Sequence, residues 1–166
     1  MSDTDESYVE IVSGDEKKFK VKRKMILMSA LISDMLEEED EEDEDIPSIP
    51  IPNVDGGTFE VIQKYIQHHW NNKADEIKKP LKGKIEDVIS QWDNEFLNSF
   101  DQTMLIKLTM AANYLNIKDL LDLTSASLAS GLKGNTPEKI RDKFGIACDF
   151  NPDEKKKIEE ENKWAE

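Results

Sequence analysis

Between Met104 and Trp164 the apolar residues step by three and four, the spacing that gathers them on one face of a helix. Met104, Leu105, Leu108, Ala111, Ala112 and Leu115 make one such stripe, and after the break at Asn116 a second passes through Ile117, Leu120, Leu121, Thr124 and Leu128. Asp101 stands where an N-cap for the first of these helices belongs. Two more helix starts follow. Thr136 precedes Pro137, a capping hydroxyl ahead of a proline whose missing N–H costs nothing at the first helical position, and Asn151 precedes Pro152 with Glu154 placed to complete a capping box. The first short helix presents Ile140, Phe144 and, past its end, Ile146; the second presents Ile158 and Trp164 among charges. These helix-break-helix units carry more apolar surface than they can bury on themselves, which is a pattern for packing.

The first half of the chain has a different rhythm. Val9 with Ile11 and Phe19 with Val21 alternate across Tyr8 to Val12 and Phe19 to Val21, and Ser13-Gly14-Asp15-Glu16 supplies turn residues, so the spacing predicts a β-hairpin. Lys17, Lys18, Lys20, Lys22, Arg23 and Lys24 mostly fill the outward positions of its second strand, as a solvated face does. One core-facing helix is expected over Met25 to Leu36, through Met28, Leu31, Ile32, Met35 and Leu36. The acidic run 37–45 follows; its like charges repel and no apolar group offers burial, which predicts a disordered loop. Ile46-Pro47-Ser48-Ile49-Pro50-Ile51-Pro52 alternates isoleucine or serine with proline, which confines it to a sheet edge. Asp55 is a plausible N-cap for a helix carrying Phe59, Val61, Ile62, Tyr65, Ile66 and, at its far end, Trp70. Residues 71–89 are polar, hold Pro80 and Gly83, and read as a linker before order resumes at Trp92. Strands and helices to about residue 124, then helices alone, define an α+β unit with a helical tail: residues 1–124 and 125–166.

Composition narrows the partners. With 36 acidic and 22 basic residues the net charge is −14, so a phosphate backbone would be repelled and nucleic acid is not expected as a partner. No run approaches the roughly 18 apolar residues of a membrane span, and the first residues have neither a basic start nor an apolar core of a signal segment. Cys148 is the single cysteine and cannot form an internal disulfide, which fits a reducing compartment and leads us to expect a cytoplasmic and nuclear protein.

Candidates for chemistry fare poorly. His68 and His69 are adjacent on a helix and point about 100° apart, so they read as surface histidines and not as an i, i+4 metal pair. Gly131 to Thr136 lacks the phosphate-loop spacing and a preceding strand, and a helix C-cap at Gly131 or Gly134 explains it. Cys148 stands between Ala147 and Asp149 and reads as a structural or merely tolerated thiol, not as a nucleophile. The acidic run lacks the glycine and ligand alternation of an EF-hand loop. No catalytic, cofactor or metal site is expected, and the chain is not expected to be an enzyme.

The segment AANYLNIKDLLDLT, with WDNEFL before it and GNTPEKIRDKFGI and DFNPDEKKKIEEENKWAE after it, resembles the S-phase kinase-associated protein 1 family, adaptors of the Skp-cullin-F-box (SCF) ubiquitin ligases. The likeness covers nearly the whole chain in the family's order. Two departures stand out: Ala165 occupies the place of the family's usual Cys after the tryptophan, and the family often runs a little beyond the position of Glu166. The resemblance implies a BTB/POZ fold for the α+β unit, which binds a cullin, and a C-terminal extension that interlocks with the F-box of a substrate receptor. It places Asn113 and Tyr114 on the cullin face, and Leu105, Leu121, Leu128, Phe144, Ile146, Ile158 and Trp164 on the F-box face. The RING subunit and the E2 enzyme would be indirect partners, and a weak homodimer would form when the protein is free. Pro137 corresponds to a proline that is hydroxylated in certain protist relatives, although its place at the helix start is explanation enough.

Two rival readings are an elongin-C-like or stand-alone BTB module, which leaves residues 125–166 without a purpose, and an acidic chaperone that holds basic clients through Glu37 to Asp45.

Overall fold

The computed structural model describes residues 7–37, 46–81 and 83–165. The run expected to be a disordered acidic loop lies, from residue 38 to 45, outside the described residues. The chain forms two compact units, Met1–Gly131 and Leu132–Glu166. The boundary expected at 124/125 falls inside a continuous helix, Lys118–Leu132.

In the first unit, β1 (Tyr8–Ser13) and β2 (Lys18–Lys22) make the expected antiparallel hairpin, and β3 (Ser48–Ile51) joins β1 in parallel to give the order β2-β1-β3. Val9, Ile11, Val21, Ile49 and Ile51 point inward and are buried, while the lysines of β2 and Pro50 of β3 point outward, which is the period-2 division the sequence announces. Phe19 is half-buried and tilts against Phe59 at 5.0 Å between centroids.

The single helix expected from Met25 to Leu36 is two: α1 (Arg23–Ile26) and α2 (Ala30–Glu37). Ser29 is the cause. It is fully buried, its hydroxyl donates to the Leu115 carbonyl at 2.5 Å and accepts from the Ile32 N–H at 3.3 Å, so it caps α2 while tying it to a distant part of the chain.

Helix α3 (Gly56–His69) begins as expected at Asp55, whose carboxylate accepts from the Thr58 N–H at 2.9 Å. Phe59, Val61, Ile62, Tyr65 and Ile66 all lie in the core. The stretch expected as a linker has no long element, yet Ile85 is buried in a short 3₁₀ turn, Ile85–Asp87, and Ile77, Leu81 and Ile89 pack against the core. Lys79 adds an exposed ion pair to Asp122 at 2.6 Å. Helix α4 (Gln91–Asn98) starts at Ser90, whose hydroxyl accepts from the Asp93 N–H.

His69 is not on the surface. The ring is buried at the end of α3, with Nε2 2.9 Å from Asp93 Oδ1 of α4 and Nδ1 2.9 Å from the Asn72 carbonyl. Ser90 donates to the other Asp93 oxygen at 2.9 Å. Burial works against a charged ring, but the Asp93 bond, the Asn72 carbonyl and the charges of Asp93 and Asp119 outweigh it and hold the His69 pKa above its ordinary value. Around the pair, His68 stacks flat on Trp92 at 3.9 Å, and Tyr65, Trp92, Phe96 and Phe100 continue the aromatic packing.

Helices α5 (Gln102–Tyr114) and α6 (Lys118–Leu132) complete the unit. In the second unit, α7 (Pro137–Phe144) and α8 (Pro152–Glu161) lead to a terminal 3₁₀ turn, Lys163–Ala165. Among the described residues no helix is long and apolar enough to cross a membrane.

Candidate partner-binding surfaces

The corner between α5 and α6 is built by sequence-local rules. Asp101 caps α5 through the Met104 N–H at 2.8 Å, and Leu105, Leu108, Ala111 and Ala112 are buried along its inner face. The helix stops at Asn116, which adopts a left-handed conformation (φ 52°). Its N–H bonds to the Asn113 carbonyl and the Ile117 N–H to the Ala112 carbonyl, the paired bonds of a Schellman stop, with asparagine as the non-glycine residue that best tolerates the geometry. Leu115 and Ile117 flank the stop in the core, and the Leu115 carbonyl receives the Ser29 hydroxyl.

Asn113 and Tyr114 therefore occupy the last turn of α5, Asn113 exposed and Tyr114 half-buried. Met110, one turn earlier, is 68% exposed and neighbours both at i+3 and i+4. It is not among the residues that the sequence pattern assigns to either face. Its signal was an apolar side chain lying off the buried stripe of 104, 105, 108, 111, 112 and 115.

Along α6, Leu120, Leu123 and Thr124 are buried, while Leu121 and Leu128, two turns apart, are half-buried with an outer edge on one helix face. Leu105 behaves differently from the other residues assigned to the F-box face: at 7% exposure it is a core side chain with almost no surface to offer. An open groove of about 680 Å³ lies where the α1–α2 break meets the α5–α6 corner, with Met28, Asn116, Lys118 and Leu121 in its wall.

In the second unit both expected caps are present. The Thr136 hydroxyl accepts from the Lys139 N–H, and Asn151 accepts from the N–H groups of Asp153 and Glu154 while Glu154 bonds back to the Asn151 N–H at 3.0 Å. Pro137 is exposed at the first position of α7. A second Schellman stop ends that helix, with Gly145 at φ 64° and bonds from Gly145 and Ile146 to the carbonyls of Asp142 and Arg141. Lys155 of α8 pairs with Glu138 of α7 at 3.1 Å. The α7 N-terminus, through the Glu138 amide, and then Lys155 keep the Glu138 carboxyl below its ordinary value.

What these helices lack is a core. Neither α7 nor α8 buries a single residue; Phe144 is half-buried, and Ile146, Ile158 and Trp164 are 55%, 39% and 84% exposed. Phe150, absent from the residues singled out in the sequence, is 43% exposed and lies beneath the Arg141 guanidinium. It precedes the Asn151 cap, where an apolar residue ordinarily staples to the fourth helical position. That position is Lys155, so the staple has no apolar partner. Cys148 is an exposed thiol, and among the described residues no cluster of His, Cys, Asp or Glu is placed to hold a metal.

Two family models match this chain. The model of the Skp1 family tetramerisation domain matches residues 7–71, and that of the Skp1 family dimerisation domain matches residues 118–165. The chain belongs to the Skp1 family. The SCF ubiquitin ligase complex protein SKP1a of Dictyostelium discoideum is 38% identical over 96% of both chains. The S-phase kinase-associated protein 1 homolog of Tetrahymena thermophila is 38% identical over 95% of this chain and 93% of its own. Suppressor of kinetochore protein 1 of Schizosaccharomyces pombe is 36% identical over 96% of this chain and 98% of its own. The α+β unit is thus a Skp1-type POZ domain, and the match over 118–165 takes in the tail that a stand-alone BTB reading leaves unused.

Proposed function

We propose that this chain is a non-catalytic adaptor that joins a cullin to F-box substrate receptors in an SCF ubiquitin ligase. The observation that carries the reading is the second unit: two well-capped helices with Ile146, Phe150, Ile158 and Trp164 all turned to solvent. Helices that bury nothing of their own are finished by a partner, and a terminal tryptophan is a typical anchor for one. The likeness to the SCF ubiquitin ligase complex protein SKP1a supports F-box helices as that partner. At the α5 stop, Met110, Asn113 and Tyr114 offer a separate exposed turn for the cullin.

The work done is positional. By holding receptor and scaffold together, the adaptor raises the local concentration of substrate lysines near the ubiquitin-loaded E2, which the RING subunit brings; no bond is made or broken on this chain. The protein acts in cytoplasm and nucleus, and when free it pairs weakly with itself through the unfilled apolar surface. A pull-down from cells tests the assignment of faces. Trp164→Ala loses F-box proteins at least tenfold and keeps cullin, Tyr114→Lys does the reverse, and an unchanged partner list for both would overturn it.

A further inference from the structure

Strand β2 is an edge strand whose open side has an unusual composition. Ser13 donates to the Lys17 carbonyl and Arg23 to the Ser7 carbonyl, so the odd-numbered residues of the hairpin make the ladder to β1. The N–H and C=O groups of Lys18 and Lys20, and the N–H of Lys22, then point away from β1, and among the described residues no strand lies on that side. The side chains of the same three lysines stand on the outer sheet face, opposite buried Val21. Six of the chain's 22 basic residues fall in Lys17–Lys24, which holds no acid, although the whole chain has a net charge of −14.

Several of these charges meet partners among the described residues. Lys18 bonds to Glu10 at 2.9 Å, Lys17 approaches Asp15 at 3.6 Å, and Lys20 and Lys24 lie over the rings of Tyr8 and Trp70. Lysine on an edge is a familiar guard against strand addition, because a neutral apolar strand would have to desolvate it. The same lysines reverse sign in effect for an acidic strand, whose alternate carboxylates would sit about 5 Å from them across the new ladder.

We propose that the free edge of β2 takes up an extended acidic peptide segment of another protein, paired through the backbone of Lys18 and Lys20 and selected by the side chains of Lys18, Lys20 and Lys22. The stripe is five residues long, enough for one short strand. A polyanion such as RNA or a lipid surface fits less well, since it meets the acidic remainder of the chain within a few Debye lengths, whereas a short peptide does not. This site is independent of the adaptor reading, because it uses neither the α5 turn nor the second unit.

The test uses the full-length protein and a fluorescein-labelled peptide of about six residues alternating Glu and Thr. Fluorescence anisotropy at low salt should show saturable binding, weakened at least tenfold by Lys18→Glu/Lys20→Glu and at least threefold by the milder Lys18→Gln/Lys20→Gln, with unchanged circular dichroism. A peptide of equal charge with a central proline should bind at least tenfold more weakly. Amide exchange at Lys18 and Lys20 should slow in the bound state. Equal binding of the proline peptide, or binding that leaves those amides unprotected, overturns strand addition. Peptide that fails to bind while anionic vesicles, poly(U), or a second copy of the chain occupy the edge overturns the choice of partner.

Discussion

Replacing Asp93 by Asn isolates one charge at the junction of α3 and α4. Both ring nitrogens of His69 face acceptors, Asp93 Oδ1 and the Asn72 carbonyl, each at 2.9 Å. A neutral imidazole carries a single N–H and would leave one lone pair against an oxygen, so the geometry calls for the imidazolium, with Asp93 as its counter-ion. The side chains of His69 and Asp93 are each 3% exposed, and removing one member of such a buried pair costs about 3–5 kcal/mol. Asparagine keeps the shape and an amide to bond with, which puts the loss near the lower bound, about 3 kcal/mol. The His69 pKa is raised in the fold, so the stability drawn from its charge is full below the unfolded value of about 6.5 and is lost as pH climbs through the higher folded value. The penalty of Asp93→Asn should therefore be greatest at pH 6 and fall by pH 9 to about 1 kcal/mol, that of one altered neutral hydrogen bond. One proton limits the slope to about 1.4 kcal/mol per pH unit. Urea unfolding of both proteins at half-unit steps from pH 6 to 9, followed by tryptophan fluorescence, reads the difference directly. A penalty that is flat across the range, or that grows with pH, would refute the charged pair.

Further outcomes can be checked with simple assays. Ser29→Ala removes both the cap of α2 and the donor to the Leu115 carbonyl, and should lower the urea-unfolding free energy by about 1–3 kcal/mol. Asn151→Ala dismantles the capping box and should cost α8 about 1 kcal/mol, visible as faster amide exchange in 153–158 with the first unit unaffected. Trp164→Ala, in contrast, should change the unfolding free energy by less than about 0.5 kcal/mol because the ring is 84% exposed, so any loss of F-box binding is a surface effect. Limited proteolysis should cut the 150–166 segment readily in the free protein and several-fold more slowly with an F-box peptide bound; equal rates in both would count against completion of these helices by that partner.

Where a structural decision rests on neighbours in sequence, it could be read in advance. The caps at Asp55, Asp101, Thr136 and Asn151 each depend on an oxygen two or three residues before the N–H it meets, and all four are in place. The hairpin and the proline-bearing edge follow from period-2 alternation in the same way. Decisions made by distant contacts were hidden. Ser29 splits a helix because of Leu115, 86 residues away, and nothing near Ser29 distinguishes it from a serine tolerated mid-helix. The sequence alone leaves His69 at the surface, because its partner Asp93 lies 24 positions further on, in another helix. A clue was nevertheless present: His69 follows Tyr65 by four and Ile66 by three, which puts it on the buried stripe of α3. Ile77, Leu81, Ile85 and Ile89 also repeat every four residues, a regularity obscured by Pro80 and Gly83. The candidate surfaces were legible to the extent that exposure follows from charge around an apolar residue, as at Trp164, and illegible at Leu105, whose helix supports a core stripe and a surface stripe equally well on paper.

The two margins of the sheet are not equivalent. Glu10 donates to the Pro47 carbonyl, which sets Ser48 and Pro50 on the far side of β3, and a proline there has no hydrogen to give. Growth of the sheet by added strands is consequently one-way: a chain can be extended beside β2 but not beside β3. Fibrous stacking of whole molecules edge to edge needs both borders open, so two copies that met through β2 would each show only a proline-bearing β3 outward, and the stack would stop at a pair.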